Sequence, residues 1–275
     1  MATYVGQRVG ITGWGFSATS SAGGGLTSSC TAGNTVIFLF SGQTTTLPTV
    51  TSITDSKGNT WTIDVQNNAQ KTVVIASTRQ NAGTLLSTDN LTINLASVYT
   101  GNIDGFVLEF SGQYVFDVGA TNSGTSGTSL ASGTTAATAS TDEFACVMYH
   151  ATKSGATATY TWTKDANYTS PATFQLPSSA TATRDSDVIG YRLLSATGAQ
   201  SATYVVNNTS NGWGASIATY KPAPTSTPVS GTDANSTTTE IALLSSQYPV
   251  MFQNYLFAKA KTANAGIISV GERIR

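Results

Sequence analysis

Along the first 220 residues, large apolar side chains either alternate with polar ones or run together for about five residues, and turn-forming residues punctuate them at short intervals. Alternation predicts a strand with one buried face, and a short continuous run predicts a strand buried on both. Thr35-Val-Ile-Phe-Leu-Phe40 is of the second kind. Phe106-Val-Leu-Glu-Phe110 is of the first, with Phe106, Leu108 and Phe110 on one face. Further strands are expected at Tyr4 to Ile11, Thr72 to Ser77, Leu91 to Leu95, Glu143 to Ala151, Thr157 to Thr163, Val188 to Leu194, Gln200 to Val206 and Gly214 to Tyr220. Val50 to Asp55 is expected to meet Trp61 to Gln66 as a hairpin, with Gly58-Asn59 supplying the positive φ of the turn. The uncharged stretch Val118 to Thr141 reads as a long loop or a pair of edge strands. No convincing helical period interrupts the series. The fold class is therefore all-β, a two-sheet sandwich of jelly-roll type.

The pattern changes after residue 221. Lys221-Pro-Ala-Pro-Thr-Ser-Thr-Pro228 reads as a stiff, extended connector. The chain accordingly divides into a sandwich at 1–221, a Pro/Thr-rich connector at 222–239 and a C-terminal segment at 240–275. That last segment is rich in large apolar residues and carries a candidate strand, Gly266 to Val270, which makes it a small β appendage. It is too short to bury its apolar surface alone. Tyr248, Met251, Phe252, Tyr255 and Phe257 are its expected partner-interface residues, being the side-chain types that concentrate at interface centres.

Composition narrows the function. Charged residues are only 10% of the chain and the net charge is −1, so no basic stripe is present to neutralise phosphates. No apolar stretch is long enough to span a membrane. Met1-Ala2-Thr3-Tyr4 lacks the pattern of an export signal. A Thr- and Ser-rich, surface-like chain without such a signal is expected to be made in the cytosol and released inside a particle.

The residues offer little catalytic chemistry. His150, the only histidine, ends an apolar strand away from any nucleophile motif and reads as structural. Asp142-Glu143 and Asp185/Asp187 read as strand entries, where acids cap turns and pair with Arg184 or Arg192. Calcium at Asp185/Asp187 or Asp55/Asn59 is an alternative, although no complete calcium-loop motif is present. Cys30 and Cys146 are expected to be free thiols. Trp14, between Gly13 and Gly15, is the best exposed candidate for stacking on a ligand. No cofactor and no catalytic residue are expected.

Asp55-Ser-Lys-Gly-Asn-Thr-Trp61, Phe106-Val-Leu-Glu-Phe-Ser-Gly112, Tyr191-Arg192 and Trp213-Gly-Ala-Ser-Ile-Ala-Thr-Tyr220 together resemble a β-sandwich module that recurs in phage virion and bacterial surface proteins. The ending Ala263-Asn-Ala-Gly-Ile-Ile-Ser-Val-Gly271 is similar to a small β-element of tailed-phage structural proteins. The resemblance implies a non-enzymatic head decoration (cement) protein, located in the virion. Its expected partners are the major capsid protein or other virion proteins, with self-association as a trimer. The alternative it leaves open is a carbohydrate-binding adsorption module using Trp14, Tyr114 or Tyr168.

Overall fold

A computed structural model describes residues 1–224 apart from 24, 43–46, 80–82, 154–159 and 176–183. The chain divides into two units, Met1–Ala223 and Pro224–Arg275. The first is an all-β sandwich, and the described residues contain no helix. Its strands are β1 (Tyr4–Gly23), β2 (Thr35–Gly42), β3 (Val50–Asp55), β4 (Trp61–Asn67), β5 (Val73–Arg79), β6 (Leu91–Phe110), β7 (Tyr114–Gly124), β8 (Gly127–Ala131), β9 (Glu143–Lys153), β10 (Trp162–Thr163), β11 (Thr173–Gln175), β12 (Arg184–Leu194), β13 (Thr203–Ser210) and β14 (Trp213–Pro222).

They form three antiparallel sheets rather than the two expected. A six-stranded sheet runs β1-β6-β2-β5-β4 with β3 added to β6, a five-stranded sheet runs β11-β12-β9-β14-β7, and a three-stranded sheet runs β10-β13-β8. The five-stranded sheet is the middle layer. Phe144, Cys146, Met148 and Ile189 pack on the six-stranded sheet through Ile37, Leu39, Phe106, Leu108 and Phe110. Ala145, Val147, Tyr149 and Val188 pack on the three-stranded sheet through Leu130, Tyr204 and Val206. The split by odd and even residue number is the strand period at work.

β2 is the clearest product of its sequence. All eight of its residues are buried. Val36, Phe38 and Phe40 face a second core, which the six-stranded sheet closes on itself with residues of β1, β3 and the first half of β6. That closure needs the long β1–β6 ribbon to bend. Four register irregularities in the pairing supply the bends, because a bulge kinks a strand and raises its local twist.

Of the two readings of 118–141, the pair of edge strands holds: the second half of β7 and all of β8 lie there, in different sheets. Two expectations change. The segments at Leu91 to Leu95 and Phe106 to Phe110 are one continuous strand. And β3 does not pair with β4: β3 lies on β6 and β4 on β5. Gly58 does hold φ +73°. The Asp55 carboxylate, however, takes up the donors of that turn, accepting from the Lys57 and Asn59 amides, Asn59 Nδ2 and Trp61 Nε1. A turn organised by its own side chain lets the flanking strands seek other partners.

Candidate functional site

Four strands carry an apolar stripe into the interface between the six- and five-stranded sheets, and each stripe ends in a polar residue. On β2 it runs Ile37, Leu39, Ser41; on β6, Phe110, Leu108, Phe106, Asp104; on β9, Phe144, Cys146, Met148, His150; on β12, Tyr191, Ile189, Asp187, Asp185. Register aligns these endings. Ser41 stands opposite Asp104 within one sheet, and His150 opposite Asp187 within the other. The result is a polar cluster sealed inside the sandwich: Ser41, His150 and Asp187 are 0% exposed, Asp104 is 1% and Asp185 is 2%. His150 is also opposite Gly214 of β14, where any side chain would run into the Lys71 carbonyl. Glycine there allows the half-buried Lys71 to approach.

Asp187 is the hub. Its Oδ1 accepts from Ser41 Oγ at 2.8 Å and lies 2.9 Å from His150 Nδ1, within hydrogen-bonding distance. Burial pushes the Asp187 acid up to about 7, against the opposing pull of Ser41 and Asp104. Asp104 in turn accepts the Gly13 amide at 3.0 Å. On the far side of the imidazole, His150 Nε2 is 3.6 Å from Asp185 Oδ1, and neither atom has a hydrogen-bond partner. Burial holds the His150 pKa below its ordinary value, more than the charge of Asp185 restores. Burial likewise raises Asp185, with His150 opposing.

This overturns the reading of Asp185 and Asp187 as turn caps paired with Arg192; the Arg184 side chain lies outside the described residues. Both lie inside β12 and face inward. Arg192, of opposite parity, points to the other face and reaches Gln200. Nor do Asp55 and Asn59 form an open cation loop, since Asp55 is occupied by the turn and Asn59 Oδ1 accepts the Gly83 amide. Among the described residues, no group of three or more His, Cys, Asp and Glu side chains is arranged to hold a metal ion. Asp142 and Glu143 do serve a strand entry: Asp142 binds the N-terminal amine at 2.9 Å, and Glu143 accepts the Ser140 amide. Cys30 and Cys146 are both free and buried.

Trp14 is buried at 8% exposure, not presented to solvent. The bend in β1 turns its ring into the second core, where it lies near Phe16 and its Nε1 donates to Ser21. Tyr114 and Tyr168 are buried as well. Tyr248, Met251, Phe252, Tyr255 and Phe257 lie outside the described residues. A half-open groove of about 250 Å³ runs between the edges of the two larger sheets, lined by Thr60, Thr62, Asp64, Arg79 and Phe116 among others. Burial raises Asp64 there to about 6 although Ser77 and Tyr220 bond its carboxylate.

What sequence reading missed is the convergence itself. His150 and the acids were each visible, but singly. The available signal was that each closes an apolar period-2 stripe on a strand, which puts a polar group in a core position. No protein-family model, no curated protein and no solved structure matches this chain.

Proposed function

We propose that the chain is a non-enzymatic structural protein of a phage particle, decorating and stabilising the capsid by binding coat subunits. One observation carries the non-enzymatic part. The residues that acid–base or nucleophilic chemistry would use (His150, Asp185, Asp187, Cys146) are buried between sheets, where no substrate reaches them. They join layers of the fold instead. Stacked β-layers with Thr- and Ser-rich edge strands suit a rigid body exposed to harsh surroundings. The capsid part rests on the motifs of the sequence and on the aromatic C-terminal segment, with Tyr248, Met251, Phe252, Tyr255 and Phe257 as the proposed anchor and a trimer as the proposed assembly. The adsorption reading loses support from the burial of Trp14, Tyr114 and Tyr168.

Quantitative mass spectrometry of particles purified from the producing culture tests this. Hundreds of copies per particle are expected. A handful would indicate a tail appendage, and absence from particles would sink the reading. A chain lacking residues 229–275 is expected to stay folded by circular dichroism but to be missing from particles.

A further inference from the structure

We propose that the half-open groove between β4 and β7 is a binding site for an acidic sugar, in which Arg79 pairs with the carboxylate, Phe116 lies against the ring, and Thr60, Thr62 and Asp64 take the sugar's hydroxyls. The groove lies on the sandwich, so this inference does not rest on the capsid reading.

The groove exists because two edge strands part. β4 ends the six-stranded sheet and β7 ends the five-stranded one. Toward one end they are fastened. Asn67 Nδ2 donates to the Asn122 carbonyl at 2.6 Å and to the Ala215 carbonyl at 3.2 Å, and Gly119 has no side chain to displace the Val65 methyl packed on it. Toward the other end the apolar stripes that hold the sheets together run out. On β5, Val73 and Ile75 give way to Ser77 and Arg79 at the same parity. On β4, Val65 gives way to Asp64, Thr62 and Thr60 along the groove wall. Across from them stands Phe116 of β7, half-buried. The space left is about 250 Å³.

The wall has a direction that fixes the chemistry of its occupant. Arg79 has no ion-pair partner among the described residues, and a guanidinium so placed matches a carboxylate in a two-bonded pair. Thr62 stands opposite Ser77, which sets Arg79 level with Thr60. Four residues of strand, about 13 Å, therefore separate Arg79 from Asp64. Asp64 accepts the Tyr220 hydroxyl at 2.8 Å, and an ionised carboxyl offers its remaining capacity to donors alone. An anion thus belongs at the Arg79 end and neutral hydroxyls at the Asp64 end. Between them the exposed Thr60 and Thr62 both donate and accept, and Phe116 supplies an apolar ring face. A sugar acid carries that same mixture: a carboxylate, hydroxyl edges, and a C–H face that buries against an aromatic ring. The length suits a disaccharide. An extended peptide fits less well, because it would have to add to a strand edge, and both edges are irregular here, β4 between Ile63 and Val65 and β7 opposite Ala218 to Tyr220.

Calorimetric titration of the full chain with cellobiouronic acid and with cellobiose tests this, since the two differ by a carboxylate in place of a hydroxymethyl group. The acid is expected to bind with a millimolar dissociation constant, about tenfold tighter than the neutral sugar. The amide resonances of Thr60, Thr62 and Phe116 should shift as it binds. Arg79→Gln should lower the acid to the level of cellobiose and leave cellobiose unchanged. Thr62→Trp, which fills the groove from an exposed position, should abolish binding of both. No binding of the acid, equal affinity for the two sugars, a preference that survives Arg79→Gln, or binding that survives Thr62→Trp overturns the proposal. So does an acetylated tetraglutamate that binds as tightly and shifts the same amides, since the groove would then take acidic peptides. Should a variant fail to fold, the two affinities and the shifted amides of the unsubstituted chain decide.

Discussion

The same two sheets meet through two kinds of surface. At one end Phe110, Phe144 and Tyr220 stack in series, with ring centroids 3.9 and 4.9 Å apart, and the ring faces themselves carry no proton. At the other end β2, β6, β9 and β12 bring together Ser41, Asp104, His150 and Asp187, where Asp187 is held by Ser41 and His150. Apolar burial is non-directional and adds with area, about 1.5–3 kcal/mol for each large side chain. A buried polar network contributes little net energy but is costly when half-satisfied. The first surface supplies adhesion, and the second supplies alignment with a condition attached. A third arrangement marks the contrast: the buried Glu109 is held by Arg8, Asn34 Nδ2 and the Thr31 amide, all permanent donors at 2.5–2.7 Å.

The comparison can be broken most directly at its apolar end. Phe144→Ala should cost about 3–5 kcal/mol, the usual penalty for a phenylalanine cavity. Denaturant titrations should show that loss to be equal at pH 5.5 and 8. His150→Ala should cost about 2–3 kcal/mol, because Asp187 loses a donor it cannot replace from solvent. Here the two pH values should differ, and equal losses would mean that the ends do not differ in kind. Asp55→Ala, in the turn between β3 and β4, should cost about 1–2 kcal/mol, since it orphans several donors near the surface. Val98→Thr, at an exposed position of β6, should change stability by no more than about 0.5 kcal/mol.

Much of this architecture is written in residue parity. The alternation from Phe144 to His150 and from Ile37 to Ser41 places each side chain on the correct face without any knowledge of the partner strand. Long-range choices are not written locally. Gly58-Asn59 gives a true turn, yet whether β3 then pairs with β4 or β6 depends on residues some forty positions away, Leu91 to Leu95. Tyr99 to Asn102 has the polar and glycine content of a loop but continues β6, because β1 pairs with it there. Trp14 looks exposed between glycines until the bend of β1 turns its ring into a core. The candidate site was the least legible part. Its members come from four strands that only register brings together, and a polar residue at the end of an apolar stripe is equally the mark of a strand leaving the core.

The pairing of β1 with β6 has a consequence for how the molecule comes into being. Tyr4 finds its partner in Phe110, and Gly23 in Leu91, so the first strand is made long before the strand it needs. On a ribosome adding about 5–20 residues per second, β1 waits for seconds without a mate. β2 depends on the same late strand, through Thr35 and Phe110. β2, β5 and β4 can pair among themselves earlier, but β1, β3 and the other edge of β2 find their native partner only when Leu91–Phe110 has emerged. Such a chain has a high contact order and folds slowly, in milliseconds to seconds once complete. The four irregularities along β1 help during that wait as well, because a kinked edge is a poor template for a neighbouring nascent chain.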